Sequence, residues 1–260
     1  MPEIINSVIF AGAGPGDPEL ITVKAQKALM EADLVIYAGS LVPKALLMWT
    51  KKSAEVFDSA GMNLDEIVRM IVSAHGNNKK IVRLHTGDPA LYGAIYEQIR
   101  ALEKYKIPCR VIPGVTAAFA AAASMTMEYT LPEISQTLIF TRISGRTKVP
   151  EKESLESLAS HQSSMAIYLS IGHTEKVKKI LSHYYGEESL CAVAYKVSHP
   201  DEEIHYTKIK DLLKMVQDKK IARQALIIVG KAVGMTKDGI KDIKSQLYDP
   251  GFSHGFRNKS

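Results

Sequence analysis

The chain has 260 residues, 46% of them apolar and 23% charged, a balance that excludes a disordered or low-complexity protein. Its 33 Lys and Arg against 28 Asp and Glu leave a formal charge of +5 and a pI near 9.0. The lysines are spread over helical faces, so the charge reads first as a solvated surface and second as attraction for an anionic ligand.

Apolar runs and helical patterns alternate from the start. "SVIFAG" reads as a strand and is followed by a helix from Glu19 to about Ala32. "DLVIYAG" is a second strand, with a short helix from Val42 to Trp49; "AEVFD" is a third, with a helix from Leu64 to about Ala74. "KKIVRLHTG" and "CRVIPG" are two more strands, bracketing a helix from about Ala90 to Lys104. Such alternation needs crossover connections and gives a mostly parallel sheet covered on both faces.

The grammar changes after Pro113-Gly114. An Ala-rich helix from Val115 to about Met125 leads to "SQTLIFTR", "SMAIYLS", "LCAVAYKV", "EEIHYTKI" and "QALIIVGKAV". The third and fourth are separated only by "SHPDE", which predicts a hairpin, and helices at Glu175–Tyr185 and Lys210–Lys219 fill two gaps. Two α/β domains follow, residues 1–114 with a mostly parallel sheet and residues 115–260 with a mixed one. Cys109 and Cys191 stand alone, which suggests neither a disulfide framework nor a zinc site. The longest apolar stretch, Gly114 to Met127, is too short for a membrane span, and "MPEIINS" lacks the pattern of a secretory signal, so a cytoplasmic protein is expected.

The first strand runs into "GAGPGDPELITVKA", which looks like a nucleotide loop. A dinucleotide fingerprint needs G-x-G-x-x-G, but here the third glycine comes one residue early and Asp17 stands where the last glycine belongs. Asp17 suits an N-cap and Pro18 the first helical position. That cap takes up the amides a phosphate would need and adds a negative charge. No G-K-[ST] follows, so a P-loop is excluded too. "HTGDPALYG" repeats the design after its own strand, and "IPGVTAAFAAAA" is a third glycine turn followed by small side chains. Three turns after three strands gather at the carboxyl edge of one sheet, where open α/β folds bind ligands.

These three segments resemble the tetrapyrrole methylases, which transfer methyl groups from S-adenosylmethionine in cobalamin and sirohaem synthesis. "LPEISQTLIFTRISGRTKVPE" and the tail "LYDPGFSHGFR" are similar to the precorrin-4 C-11 methyltransferases of that family. The resemblance extends over essentially the whole chain. It implies paired α/β domains with the active site in the cleft between them, in a homodimer acting on a small-molecule tetrapyrrole, with or without cobalt. No nucleic acid, membrane or resident metal is implied. Carried over by motif, the contacts to S-adenosylmethionine and its product S-adenosylhomocysteine are Pro15, Gly87, Asp88, Leu91, Thr116 and Ala117. Leu169, Val197 and Ala225 follow from strand ends without a sharp motif.

One departure is informative. The uroporphyrinogen methylases carry an aspartate just after the second strand and a lysine just before Ala-Gly in the third turn; "YAGSLV" and "FDSAGM" stand here instead. That counts against the sirohaem-branch activity and leaves no transferable acid–base pair. His85 has two readings, a carboxylate donor or the missing base on one side and a hydrogen-bonded strand-end histidine on the other. Arg142 and Arg146 flank a glycine and match the substrate's acetate and propionate carboxylates, against solvated loop charge as the plain reading. Arg83, inside a strand, reads as a paired structural charge. Met125, Met127 and Tyr129 read as packing, and His254 and Arg257 in the tail are weaker substrate candidates. The alternatives are another ring-carbon methylase of the same fold or, from a different class, a non-catalytic module binding anions or nucleic acid. Affinity for S-adenosylhomocysteine separates the last from the rest.

Overall fold

A computed structural model describes residues 7–235 together with 245, 252, 253 and 255. The chain divides into two compact units, residues 1–120 with 197–201 and residues 121–196 with 202–260.

The first unit is built on five strands, β1 (Val8–Gly12), β2 (Leu34–Tyr37), β3 (Glu55–Asp58), β4 (Ile81–His85) and β5 (Cys109–Ile112). All neighbours are parallel, in the order β3-β2-β4-β1-β5. One face of the sheet packs Val35, Val82, Leu84 and Ala11 against Ala25 and Leu29 of α1 (Val23–Glu31). The other packs Phe10, Ile36 and Ile81 against Ile67 and Ile71 of α2 (Leu64–Gly76) and Leu102 of α3 (Ile95–Glu103). Burial on both faces explains why β2 reads as an unbroken apolar run. The α2 start is as sequence chemistry demands: Asn63 and Glu66 form a reciprocal capping box.

Two helices begin later than the pattern predicts. Asp17 does cap, its Oδ1 accepting from the Glu19 amide at 2.8 Å, but Pro18–Leu20 is a single 3-10 turn. Ile21 is extended, and α1 restarts from Thr22, whose Oγ1 accepts from the Ala25 amide at 3.2 Å. The Pro18 carbonyl that would continue the first helix faces the Trp49 indole N–H at 3.4 Å. Likewise α3 starts at Ile95, because Tyr92 and Ala94 have φ of +55° and +49° and cannot extend a right-handed helix.

The second unit holds β6 (Leu138–Arg142), β7 (Ser164–Tyr168), β8 (Leu190–Tyr195), β9 (Glu203–Lys208) and β10 (Ala225–Val229), in the order β6-β7-β10-β8-β9. Only β6 and β7 are parallel; β8 and β9 form the expected antiparallel hairpin. Met165, Ile167, Val193, Ile227 and Val229 pack against α6 (Thr174–Tyr185) and α7 (Leu212–Asp218). The Ala-rich helix α4 is Ala117–Ser124, and two short helices, α5 (Leu155–Ala159) and α8 (Lys231–Met235), were not anticipated from the periodicity. No helix among the described residues is long and apolar enough to cross a membrane.

Candidate functional site

The three glycine turns interlock. Ala13 N–H donates to the His85 carbonyl at 2.7 Å, while Gly14 and Gly87 exchange N–H···O bonds of 3.2 and 2.8 Å. A Cβ on Gly12 would lie 2.6 Å from both the Gly114 backbone and the Gly87 carbonyl oxygen. One on Gly114 would lie 2.1 Å from that same oxygen. The glycines are there so that three backbones can touch. The Asp17 amide donates to Ser198 Oγ at 2.9 Å, and a Cβ on Gly16 would strike the His199 ring at 2.4 Å. The amides of Ala13, Gly14 and Asp17 are thus already bonded within the protein, so the first loop is not a phosphate cradle.

Asp88 ties the second turn to the third. Its Oδ1 accepts from the Ala90 amide at 2.8 Å and its Oδ2 from the Gly114 amide at 2.9 Å. Thr22 Oγ1 reaches the Pro113 carbonyl at 3.4 Å and links the first turn to the same bundle. Around it lie several of the named candidates: Pro15 buried, Gly87 and Leu91 half-buried, Thr116 buried and Ala117 half-buried. A Cβ on Gly87 would meet nothing nearer than Thr116 Cα at 3.8 Å, so the turn leaves room above its backbone.

The second sheet collects a separate set. Arg142 stands opposite Tyr168, and Ala225 opposite Tyr195. Extending the antiparallel register from Ile227 and Ile167 brings Ala225 level with Leu169. Arg142, Leu169, Ala225 and the end of β8 therefore share one edge. The backbone there is strained, with φ of +52° at Leu169, +45° at Lys196, +62° at Ser198 and +53° at Gln224. Leu169 is also 66% exposed. Left-handed residues bearing side chains cluster where surrounding structure holds a shape for use. Val197, between two of them, is buried. Sequence patterns carry no sign of this strain, because none of the four is a glycine.

Arg142 and Arg146 part company. Arg142 donates to the carbonyls of Ile143, Thr147 and Lys148 at 3.3, 3.0 and 3.0 Å, so its guanidinium braces its own loop. Ser170 Oγ accepts the Ile143 amide at 2.9 Å, and Gly145 lies against His173. Arg146 is exposed at the loop's tip and has no hydrogen-bond or ion-pair partner among the described residues. Met125 and Tyr129 are buried and Met127 is half-buried, consistent with packing roles. His254 and Arg257 lie outside the described residues.

His85 is 5% exposed, stacked on Phe10 at 5.8 Å between ring centroids. Burial, with Arg83 adding to it, drops its pKa from 6.5 to about 3, so it is neutral at physiological pH. The unfolded chain binds the proton first as pH falls. Stability contributed by neutral His85 is therefore whole above pH 6.5 and declines as pH drops from 6.5 toward 3. Relative to His85→Asn, wild type is expected to lose roughly 2–3 kcal/mol between pH 6.5 and about 4.5, read by urea melts at each pH. Parallel pH profiles for the two proteins would refute the buried neutral state. Arg83, also 5% exposed, donates to Gln98 Oε1 and the Ile36 carbonyl; both of these acceptors are neutral, and burial lowers its pKa to about 10. Burial raises the Cys109 thiol to about 11, with help from Glu103, and Cys191 to about 12, so neither is a thiolate near neutrality. Among the described residues no group of three or more His, Cys, Asp and Glu is placed to hold a metal ion.

A wholly parallel sheet with interlocked turns at its carboxyl edge, and a mixed sheet beside it in sequence, define an α/β protein. The chain belongs to the tetrapyrrole (corrin/porphyrin) methylases, whose family profile matches residues 7–213. It is 51% identical over 253 residues to the cobalt-precorrin-4 C(11)-methyltransferase of Methanocaldococcus jannaschii, covering 97% of this chain and 96% of that one. It is 44% identical to the precorrin-4 C(11)-methyltransferase of Pseudomonas aeruginosa, over 96% and 98% of the two chains. The X-ray structure of a cobalamin biosynthetic enzyme, the cobalt precorrin-4 methyltransferase CbiF, matches with a TM-score of 0.86 at 44% identity, covering 90% of this chain and 98% of that one.

Proposed function

We propose that the protein is an S-adenosylmethionine-dependent C-methyltransferase acting at C-11 of precorrin-4 or its cobalt form, in cobalamin synthesis. The observation that carries the reading is the full-length likeness to relatives bearing that name, at 51% and 44% identity. The geometry of the turns supports it. Pro15, Gly87, Asp88, Leu91, Thr116 and Ala117 would hold the cofactor, since the turn leaves open space above Gly87 and Thr116 begins a helix of alanines. Leu169, Val197 and Ala225 are proposed as further contacts, on the strained backbone around them.

The bound cofactor supplies a methyl group already activated on a sulfonium. The protein's own work is then to fix its turns, align the reacting carbon and exclude water. Alignment of this kind is worth about 7–11 kcal/mol in favourable intramolecular reactions. His85, neutral and buried, is given no proton-transfer role. Arg146 would meet a substrate carboxylate, while Arg142 holds the loop that presents it. The protein is proposed to work in the cytoplasm as a homodimer, which light scattering checks.

The deciding experiment incubates the protein with carbon-13 methyl-labelled S-adenosylmethionine and enzymatically generated precorrin-4, with and without cobalt. NMR is expected to place the label on C-11; a methyl on another ring carbon would move the chain to a different member of the family. In the same assay Arg146→Ala is expected to raise the Michaelis constant for the tetrapyrrole about tenfold and leave that for the cofactor unchanged. Equal effects on both would remove the carboxylate role.

A further inference from the structure

The second turn holds two residues, Tyr92 and Ala94, in the left-handed region, where a side chain costs on the order of 1 kcal/mol or more each. Ala94 also precedes α3 with no side-chain cap. Something else must hold this segment. Behind it, in an otherwise apolar layer between the sheet and α3, lie three buried polar side chains, Arg83, His85 and Gln98.

Two of them are tied to the carbonyl that opens α3. Gln98 Nε2 donates to the Ala94 carbonyl at 3.2 Å. His85 stacks on Phe10, and its Nε2 has no hydrogen-bond partner among the described residues. Arg83 Nε donates to Gln98 Oε1 at 3.1 Å, and its Nη1 reaches the Ile36 carbonyl at 3.3 Å. Guanidinium has donors and no acceptor. Gln98 must therefore turn its oxygen toward Arg83, which leaves its NH2 facing the Ala94 carbonyl. The arginine sets the amide, and the amide sets the turn.

We propose that Arg83 and Gln98 form a buried bracket that positions turn 87–94 for the cofactor, Gln98 acting as a positioning residue through the carbonyl of Ala94. This rests on the reading that the turn holds S-adenosylmethionine. The bracket works from beneath and Asp88 from the Gly114 side, so the turn is fixed at both its opening and its close.

Gln98→Glu separates positioning from mere anchorage. The carboxylate keeps an acceptor for Arg83 and adds charge pairing, but has no donor for Ala94. Calorimetric titration with S-adenosylhomocysteine is expected to show about tenfold weaker binding than wild type, with a melting temperature that is not lowered. Gln98→Met, which lacks the donor and carries no charge, is expected to weaken binding by a similar factor. Wild-type affinity in folded Gln98→Glu overturns the bracket, as does wild-type affinity in Gln98→Met should the glutamate variant fail to fold. Absence of binding by the wild-type protein overturns the cofactor reading itself, which distinguishes the two failures.

Discussion

Gly114→Ala is expected to lower the melting temperature by roughly 5–10 °C and to abolish S-adenosylhomocysteine binding in the protein that remains folded. The new Cβ would sit 2.1 Å from the Gly87 carbonyl oxygen and 2.8 Å from Gly12 Cα. Both obstacles are backbone, so neither can rotate away as a long side chain would. Gly87 is further held by its bond pair with Gly14 at 3.2 and 2.8 Å. Relief requires one strand end to move, at a cost of about 3 kcal/mol by the scale of overpacked cores. The turn that moves is one of those proposed to hold the cofactor. Gly61→Ala is the control, since nothing lies within 4 Å of its Cβ position, and it is expected to shift melting by less than about 2 °C. A Gly114→Ala protein that melts and binds like wild type would show slack between the turns and sink the interlock.

Asp88→Ala is expected to weaken S-adenosylhomocysteine at least about tenfold and to cost roughly 2–3 kcal/mol of stability. Two amides lose their acceptor together, Ala90 at 2.8 Å and Gly114 at 2.9 Å. Asp88→Asn keeps one acceptor but presents an NH2 group to the other amide, so it should fall between alanine and wild type. Calorimetry on the three proteins, with thermal melts alongside, orders them. Equal affinity in all three would leave Asp88 as an ordinary turn cap with no hold on the cofactor seat.

Much of this architecture could be read before any coordinates. The five strands of the first unit and the β8–β9 hairpin follow from local pattern, because side-chain periodicity acts over a few residues. The "GDP" turns announced themselves as caps because cap chemistry is equally local, and Asp17 caps as expected. What those caps begin was less legible. Pro18 opens one 3-10 turn instead of a helix, with the Pro18 carbonyl facing the Trp49 indole, 31 residues distant. Gln98 gave no signal at all: a glutamine on a helix is ordinary until a buried arginine is found beside it. Arg83 was the clue, since an arginine inside an apolar strand needs acceptors, but its acceptors proved neutral where a paired charge was expected. Arg142 and Arg146 looked equivalent in sequence, and loop geometry alone separated a brace from an exposed cation.

Sequence by itself determined the fold class, the family and the exclusion of a diphosphate loop, because each depends on residue type at short spacing. Tertiary structure decided which groups touch: three glycines pressed together from strands far apart in the chain, one aspartate spanning two turns, and a buried amide whose orientation an arginine dictates. Those contacts arise from sheet register and packing, which bring distant residues within ångströms and leave no mark on the residues between them.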